Sequence, residues 1–207
     1  MERIKKIDIH VHAAPLRDPI LRSDGFGIHP TADELRQIYD AMGIEKGVQM
    51  TLSSPEAIAQ PITNEDSWQL AKENPETFFW FCNIDPRTHP NNDKTDFEYL
   101  VGYYKALGAK GLGEVTANLP FDDPRVYALF RACEKLDMPV TFHIGHTNGE
   151  YGLIDELGLP KLEKALQDFP GLRFLAHSQR FWSHIGGDVT DTAASGQIRG
   201  FKKPTAP

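Results

Sequence analysis

A chain of 207 residues, 40% hydrophobic and 25% charged, has the composition of a soluble globular protein and suffices for one large domain or two small ones. The formal net charge of −7, with no basic stripe and no aromatic-interleaved run of lysines and arginines, argues against a nucleic-acid-binding surface. No apolar run is long enough to span a bilayer, and Met1 to Lys6 leads straight into the first strand without room for a signal peptide, so the expected setting is the cytoplasm, with no membrane partner.

The first element is Ile7-Asp8-Ile9-His10-Val11-His12, a short strand. Alternate side chains of a strand share a face, which puts Asp8, His10 and His12 on one side and Ile7, Ile9 and Val11 on the other. Two imidazoles projected side by side from a stiff backbone make half a transition-metal site. Asp8, one step deeper on the same face, is placed to orient a ligand imidazole. A long irregular stretch from Ala13 to Pro30 follows. Thr31 and Glu34 then form a capping box for a helix carrying Leu35, Ile38, Tyr39 and Met42 at helical spacing and stopping at Gly43.

Glu45 to Leu52 reads as the second strand, and Asn64 as the cap of a helix from Glu65 to about Asn74. Thr77 to Ile84 is a nearly continuous apolar third strand of the kind covered on both faces, ended by Asp85-Pro86-Arg87. A helix over Asp96–Leu107 and a glycine-broken strand over Ala109–Val115 come next. Asp123-Pro124 opens a helix from Arg125 to Leu136, with proline at a tolerated first-turn position. Met138–His143 is the fifth strand, Pro160 to Phe169 mostly helix, and Leu172–His177 the sixth strand. From Ser178 the pattern decays among glycines. Cys82 and Cys133 sit in apolar strand and helix contexts and read as buried free thiols of a reducing compartment.

Six strands, five of them followed by a helix, imply a parallel sheet with right-handed crossovers, either a doubly wound sheet or a β/α barrel. No glycine-rich phosphate loop follows the first strand, which weakens the nucleotide-binding alternative. In a β/α barrel the reacting groups stand at the C-terminal ends of the strands. His10 and His12 end the first strand, Asp85 and Arg87 follow the third, Glu114 ends the fourth, His143 the fifth and His177 the sixth. A single histidine at a strand end is commonly structural, but chance weakens as independent strands agree on one edge. Arg87 is a candidate bidentate clamp for a substrate carboxylate. Gln179-Arg180-Phe181-Trp182 are placed to wall the pocket, and His146 to reach its rim, whereas His29, His89 and His184 read as loop or helix-surface residues.

The ordered set His10-x-His12, Glu114, His143 and His177 resembles the amidohydrolase superfamily, and more closely its amidohydrolase-related branch of small β/α-barrel metalloenzymes, over about residues 4 to 185. The resemblance implies an α/β fold of (β/α)8 barrel lineage, here an incomplete barrel of about six β/α units forming one domain over residues 1–207. It implies a divalent metal on His10, His12 and His143, with Glu114 as ligand or bridge in preference to Lys110, and His177 as the catalytic or second-metal histidine. Zinc suits the imidazoles, and manganese or another divalent ion is the alternative if Glu114 adds hard oxygen character. The implied reaction is hydrolysis of a small-molecule ester, lactone or amide by a metal-activated water. The alternatives are a decarboxylase resembling aminocarboxymuconate semialdehyde decarboxylase and an inactive metal-binding fragment. The superfamily pattern also has seventh and eighth strands and a strand-eight aspartate. Asp188 and Asp191 lack strand context, so a C-terminally truncated member is expected, with open strand edges that favour homo-oligomers.

Overall fold

The computed structural model describes residues 4–16, 29–56, 61–88, 90, 92–145 and 151–185. Most of the expected loop between Ala13 and Pro30, together with His89, His146, Asp188 and Asp191, lies outside the described residues. The elements alternate along the chain: β1 (Lys6–Val11), α1 (Ala32–Met42), β2 (Ile44–Gln49), α2 (Asn64–Glu73), β3 (Phe78–Trp80), α3 (Phe97–Ala106) and β4 (Leu112–Val115). They continue as α4 (Pro124–Lys135), β5 (Val140–Gly145), β6 (Leu153–Ile154), α5 (Pro160–Asp168), β7 (Phe174–His177) and α6 (Gln179–Ile185). No helix among the described residues is long and apolar enough to cross a membrane.

The strand order decides between the two candidate architectures. β1, β2 and β3 pair in parallel, a parallel bridge from Cys82 to Leu112 joins the end of the third strand to β4, and β4, β5 and β7 pair in parallel. Each strand therefore neighbours its predecessor with no reversal of order, which is barrel topology and not the switch-point topology of a doubly wound sheet. Among the described residues six β/α units are present, as expected. The third strand, expected over Thr77–Ile84, is ladder-paired only over Phe78–Trp80, and two elements were not expected from the sequence. α6 forms where the pattern was expected to decay, packing Phe181 on Phe142 of β5 with ring centroids 6.2 Å apart. β6 is a two-residue strand on the upper end of β5, too short to leave a periodic signal.

Local chemistry sets the helix starts. Thr31 and Glu34 form the expected capping box at α1. At α2 the cap is Thr63 with Asp66, one residue before the expected Asn64, which frees Asn64 for another role. The main core runs from Trp80 and Cys82 through Val101, Leu129 and Phe142 to Leu172. A smaller separate cluster, built on Ala13, Leu35, Tyr39, Leu70 and Phe78, supports β1 and α1. Cys82 and Cys133 are free and buried, and burial pushes the Cys82 thiol up to about 12.

Candidate metal centre

β1 does not keep the strand parity that its sequence suggests. Asp8 pairs with Gly47 and Val11 with Gln49, so three residue steps on β1 span two on β2. An irregularity of this kind re-aims the side chains around it. Asp8 consequently turns to α1, where its Oδ2 accepts from the Tyr39 hydroxyl at 2.9 Å, and Val11 packs into the same cluster. Burial and the Asp8 bond both push the Tyr39 hydroxyl up. Asp8 thus anchors a helix, not a ligand imidazole. Gly47 is required opposite this pair, because a Cβ there would stand 2.1 Å from the Tyr39 hydroxyl oxygen.

Beyond Asp8, His10 and His12 both turn to Glu114. Their Nε2 atoms lie 3.1 Å apart, and 3.5 and 3.2 Å from Glu114 Oε2. From β5, His143 Nδ1 approaches Glu114 Oε1 at 2.6 Å; from β7, the sixth barrel strand, His177 Nε2 lies 3.5 Å from the same oxygen. The His177 ring stacks on His10 with centroids 3.9 Å apart. Four imidazoles from three strands thus face one carboxylate that is 2% exposed.

Burial alone would raise the Glu114 carboxyl, but the bonds from His10, His12 and His143 outweigh it and hold the group well below the usual carboxylate range. His177 is pushed down to about 4, by burial first and then by the neighbouring His10. At neutral pH it is an uncharged imidazole, with 38% of its side chain open to solvent. The approach to Glu114 is made by β4, where Gly113 sits at φ +149° and a Cβ would stand 2.7 Å from the Thr141 carbonyl oxygen of β5.

This donor set fits a divalent cation. Two imidazole nitrogens with lone pairs repel at 3.1 Å unless a proton or a cation lies between them. A tetrahedral zinc site with bonds of 2.0–2.1 Å has ligand–ligand edges of about 3.3 Å, close to the spacings among His10, His12 and Glu114. The ligand atoms of His10, Glu114 and His177 all lie within 4.8 Å of one another. His143 Nδ1 is the ring nitrogen turned toward Glu114, 2.6 Å from Oε1, and is therefore the atom that would meet an ion shared with that carboxylate.

The four residues expected as metal ligands and the expected catalytic His177 are therefore brought together, while Lys110 is exposed at the foot of the fourth strand. Arg87 is occupied elsewhere: its Nη1 and Nη2 bond Glu56 at 2.5 and 2.7 Å, and its Nε and Nη2 bond Asp85 at 2.8 and 2.6 Å. The sequence reading missed three neighbours. His29, expected on a surface, is buried with its ring 5.7 Å from that of His12. Tyr151 lies 4.2 Å from the His143 ring, and Asn83 bonds the Glu114 carbonyl. His184, also expected at a surface, is buried on α6. His29, Tyr151 and Asn83 sit in or beside loops, where periodicity carries no signal.

A model of the amidohydrolase family matches residues 7–194. No curated protein matches the sequence. Among solved structures, the chain resembles an uncharacterised TIM-barrel protein from Bordetella bronchiseptica (17% identity, TM-score 0.52, covering 84% of this chain and 66% of that one). It also resembles the 5-carboxyvanillate decarboxylase of Sphingomonas paucimobilis (15%, TM-score 0.58, 84% and 67%). A further match is the 5-carboxyvanillate decarboxylase of Novosphingobium aromaticivorans complexed with manganese (15%, TM-score 0.51, 83% and 64%). The chain thus spans about two thirds of the length of the structures it matches. These likenesses establish the fold, a β/α barrel represented here by six units.

Proposed function

The chain belongs to the amidohydrolase family, and from that premise we propose that it is a metal-dependent hydrolase of a small-molecule ester, lactone or amide, organised as one domain over residues 1–207. The observation that carries this reading is the convergence of His10, His12, His143 and His177 on the single buried carboxylate of Glu114. His10, His12, His143 and Glu114 hold the metal. Zinc matches the imidazole nitrogens, and manganese matches the added carboxylate oxygen and the ion in the Novosphingobium structure. When bound, such an ion polarises the scissile carbonyl and acidifies water.

His177, uncharged and partly open, accepts a proton from the attacking water and returns it to the leaving group. Glu114, held ionised, neutralises the cation and fixes the imidazole directions. Arg87 meets a substrate carboxylate through the edge that Glu56 fills here, its other edge being fixed by Asp85. A second reading, decarboxylation of an aromatic acid, is favoured by the decarboxylases among the structural neighbours. The free thiols accord with a reducing compartment, which we take to be the cytoplasm, and the open strand edges with self-association.

Metal analysis tests the centre directly. The purified protein is expected to carry about one zinc or manganese per chain, and His10→Ala with His12→Ala to abolish it. Undiminished metal in the double variant would overturn the reading. Panels of esters, lactones and amides, run beside aromatic carboxylic acids, separate hydrolysis from decarboxylation.

A further inference from the structure

Asn83 lies behind the metal centre, just past β3, and is 2% exposed. Its Nδ2 donates to two carbonyl oxygens, Thr51 O at 3.1 Å and Glu114 O at 2.5 Å. Thr51 O also accepts from the Glu114 backbone N–H at 3.2 Å. One amide thus holds the peptide groups on which the direction of the Glu114 side chain depends. No neighbouring side chain can substitute on the N-terminal side, because residue 113 is glycine.

Asn83 is in turn held on both sides by Asn64, the first residue of α2. Asn64 Oδ1 accepts from the Asn83 backbone N–H, and Asn64 Nδ2 donates to the Asn83 carbonyl, each at 2.8 Å. A continuous set of bonds runs from the start of α2, through the end of the third strand, to the backbone carbonyl of Glu114, the residue whose carboxylate four imidazoles face. Buried networks of this kind fix direction because each carbonyl left without its donor carries the full cost of desolvation.

We propose that Asn83, oriented by Asn64, is the positioning residue that holds Glu114 in its metal-binding direction. The proposal rests on the metal-centre reading above. Asn83→Ala leaves two carbonyls without a donor, and Asn83→Asp sets an oxygen against them. Asn64→Ala keeps the Asn83 amide but releases its backbone. Val101→Ala, in the core of α3, serves as a destabilising control, since its apolar side chain makes none of these hydrogen bonds.

Zinc and manganese affinities are measured by chelator competition, alongside urea midpoints of the metal-free proteins. Both Asn83 variants are expected to bind metal about 10–100-fold more weakly, and Asn64→Ala to weaken binding by a smaller factor, while Val101→Ala loses stability and keeps wild-type affinity. Wild-type affinity in the Asn83 variants, or an equal loss in Val101→Ala, would overturn the proposal. If the Asn83 variants do not fold, Asn64→Ala decides by the same criteria. Crystal structures of the metal-free variants give a readout independent of metal. The 2.6 Å contact between Glu114 and His143 is expected to be lost, and its retention counts against the role. A wild-type protein that takes no metal would fail the metal-centre reading, and these structures would still decide the role of Asn83.

Discussion

The guanidinium of Arg87 carries two carboxylates at once, and this fixes how the region responds to acid. The bond from Arg87 holds Glu56 below its usual range. Burial alone would raise Asp85, but the Arg87 guanidinium and backbone N–H outweigh it and leave the group lowered. Both folded-state values lie below the ordinary 4.5 and 3.8. Their contribution is therefore complete above about pH 4.5 and is lost as pH falls through the depressed folded values. Urea midpoints followed from pH 6 to about pH 3 should fall for the wild type. In Arg87→Leu the two carboxylates face each other without a cation, so the protein is weaker at neutral pH and the acid-dependent loss shrinks or reverses. An unchanged acid profile in that variant would sink the account.

At the scale of elements, β4 carries its ligand only because two glycines admit close neighbours. Gly111 leaves room for the Phe81 ring, 2.4 Å from where a Cβ would stand, and Gly113 lets the strand approach Thr141. Gly113→Ala is expected to cost about 2–3 kcal/mol in a urea titration and to weaken metal binding with it, since it moves the residue beside Glu114. The sequence showed β4 as a broken strand with a glutamate at its end, and strand-end positions were enough to collect His10, His12, Glu114, His143 and His177. Those positions are legible because a parallel barrel brings every strand's C-terminal end to one rim. The direction of Asp8 was not legible. It depends on a one-residue irregularity between β1 and β2 that no periodicity announces, and the pairing of Arg87 with Glu56 likewise joins two loops.

For the molecule as a whole, β1 and β7 stand at the two ends of the strand order. Ile7 and Ile9 on β1 are 56% and 61% exposed, although the sequence pattern marks them for an apolar face. Exposed apolar strand edges invite pairing. The chain is expected to elute from size exclusion with light scattering above its monomer mass, and Ile7→Lys with Ile9→Lys to return it toward monomer. A wild-type monomer would contradict this. The main core and the smaller cluster around Tyr39 carry a further consequence. His10 and His12 ride on the slight cluster around Tyr39, while Glu114 and His143 ride on the extensive one. Half of the proposed ligand set therefore belongs to the part of the fold with the smaller core, which is expected to open first, and the fraction of time it spends closed would set the apparent metal affinity. On the proposed metal-centre reading, the ion would latch an early-opening segment to a late-opening one. Amide exchange should slow on metal addition across Lys6–Val11 far more than across Val140–Gly145.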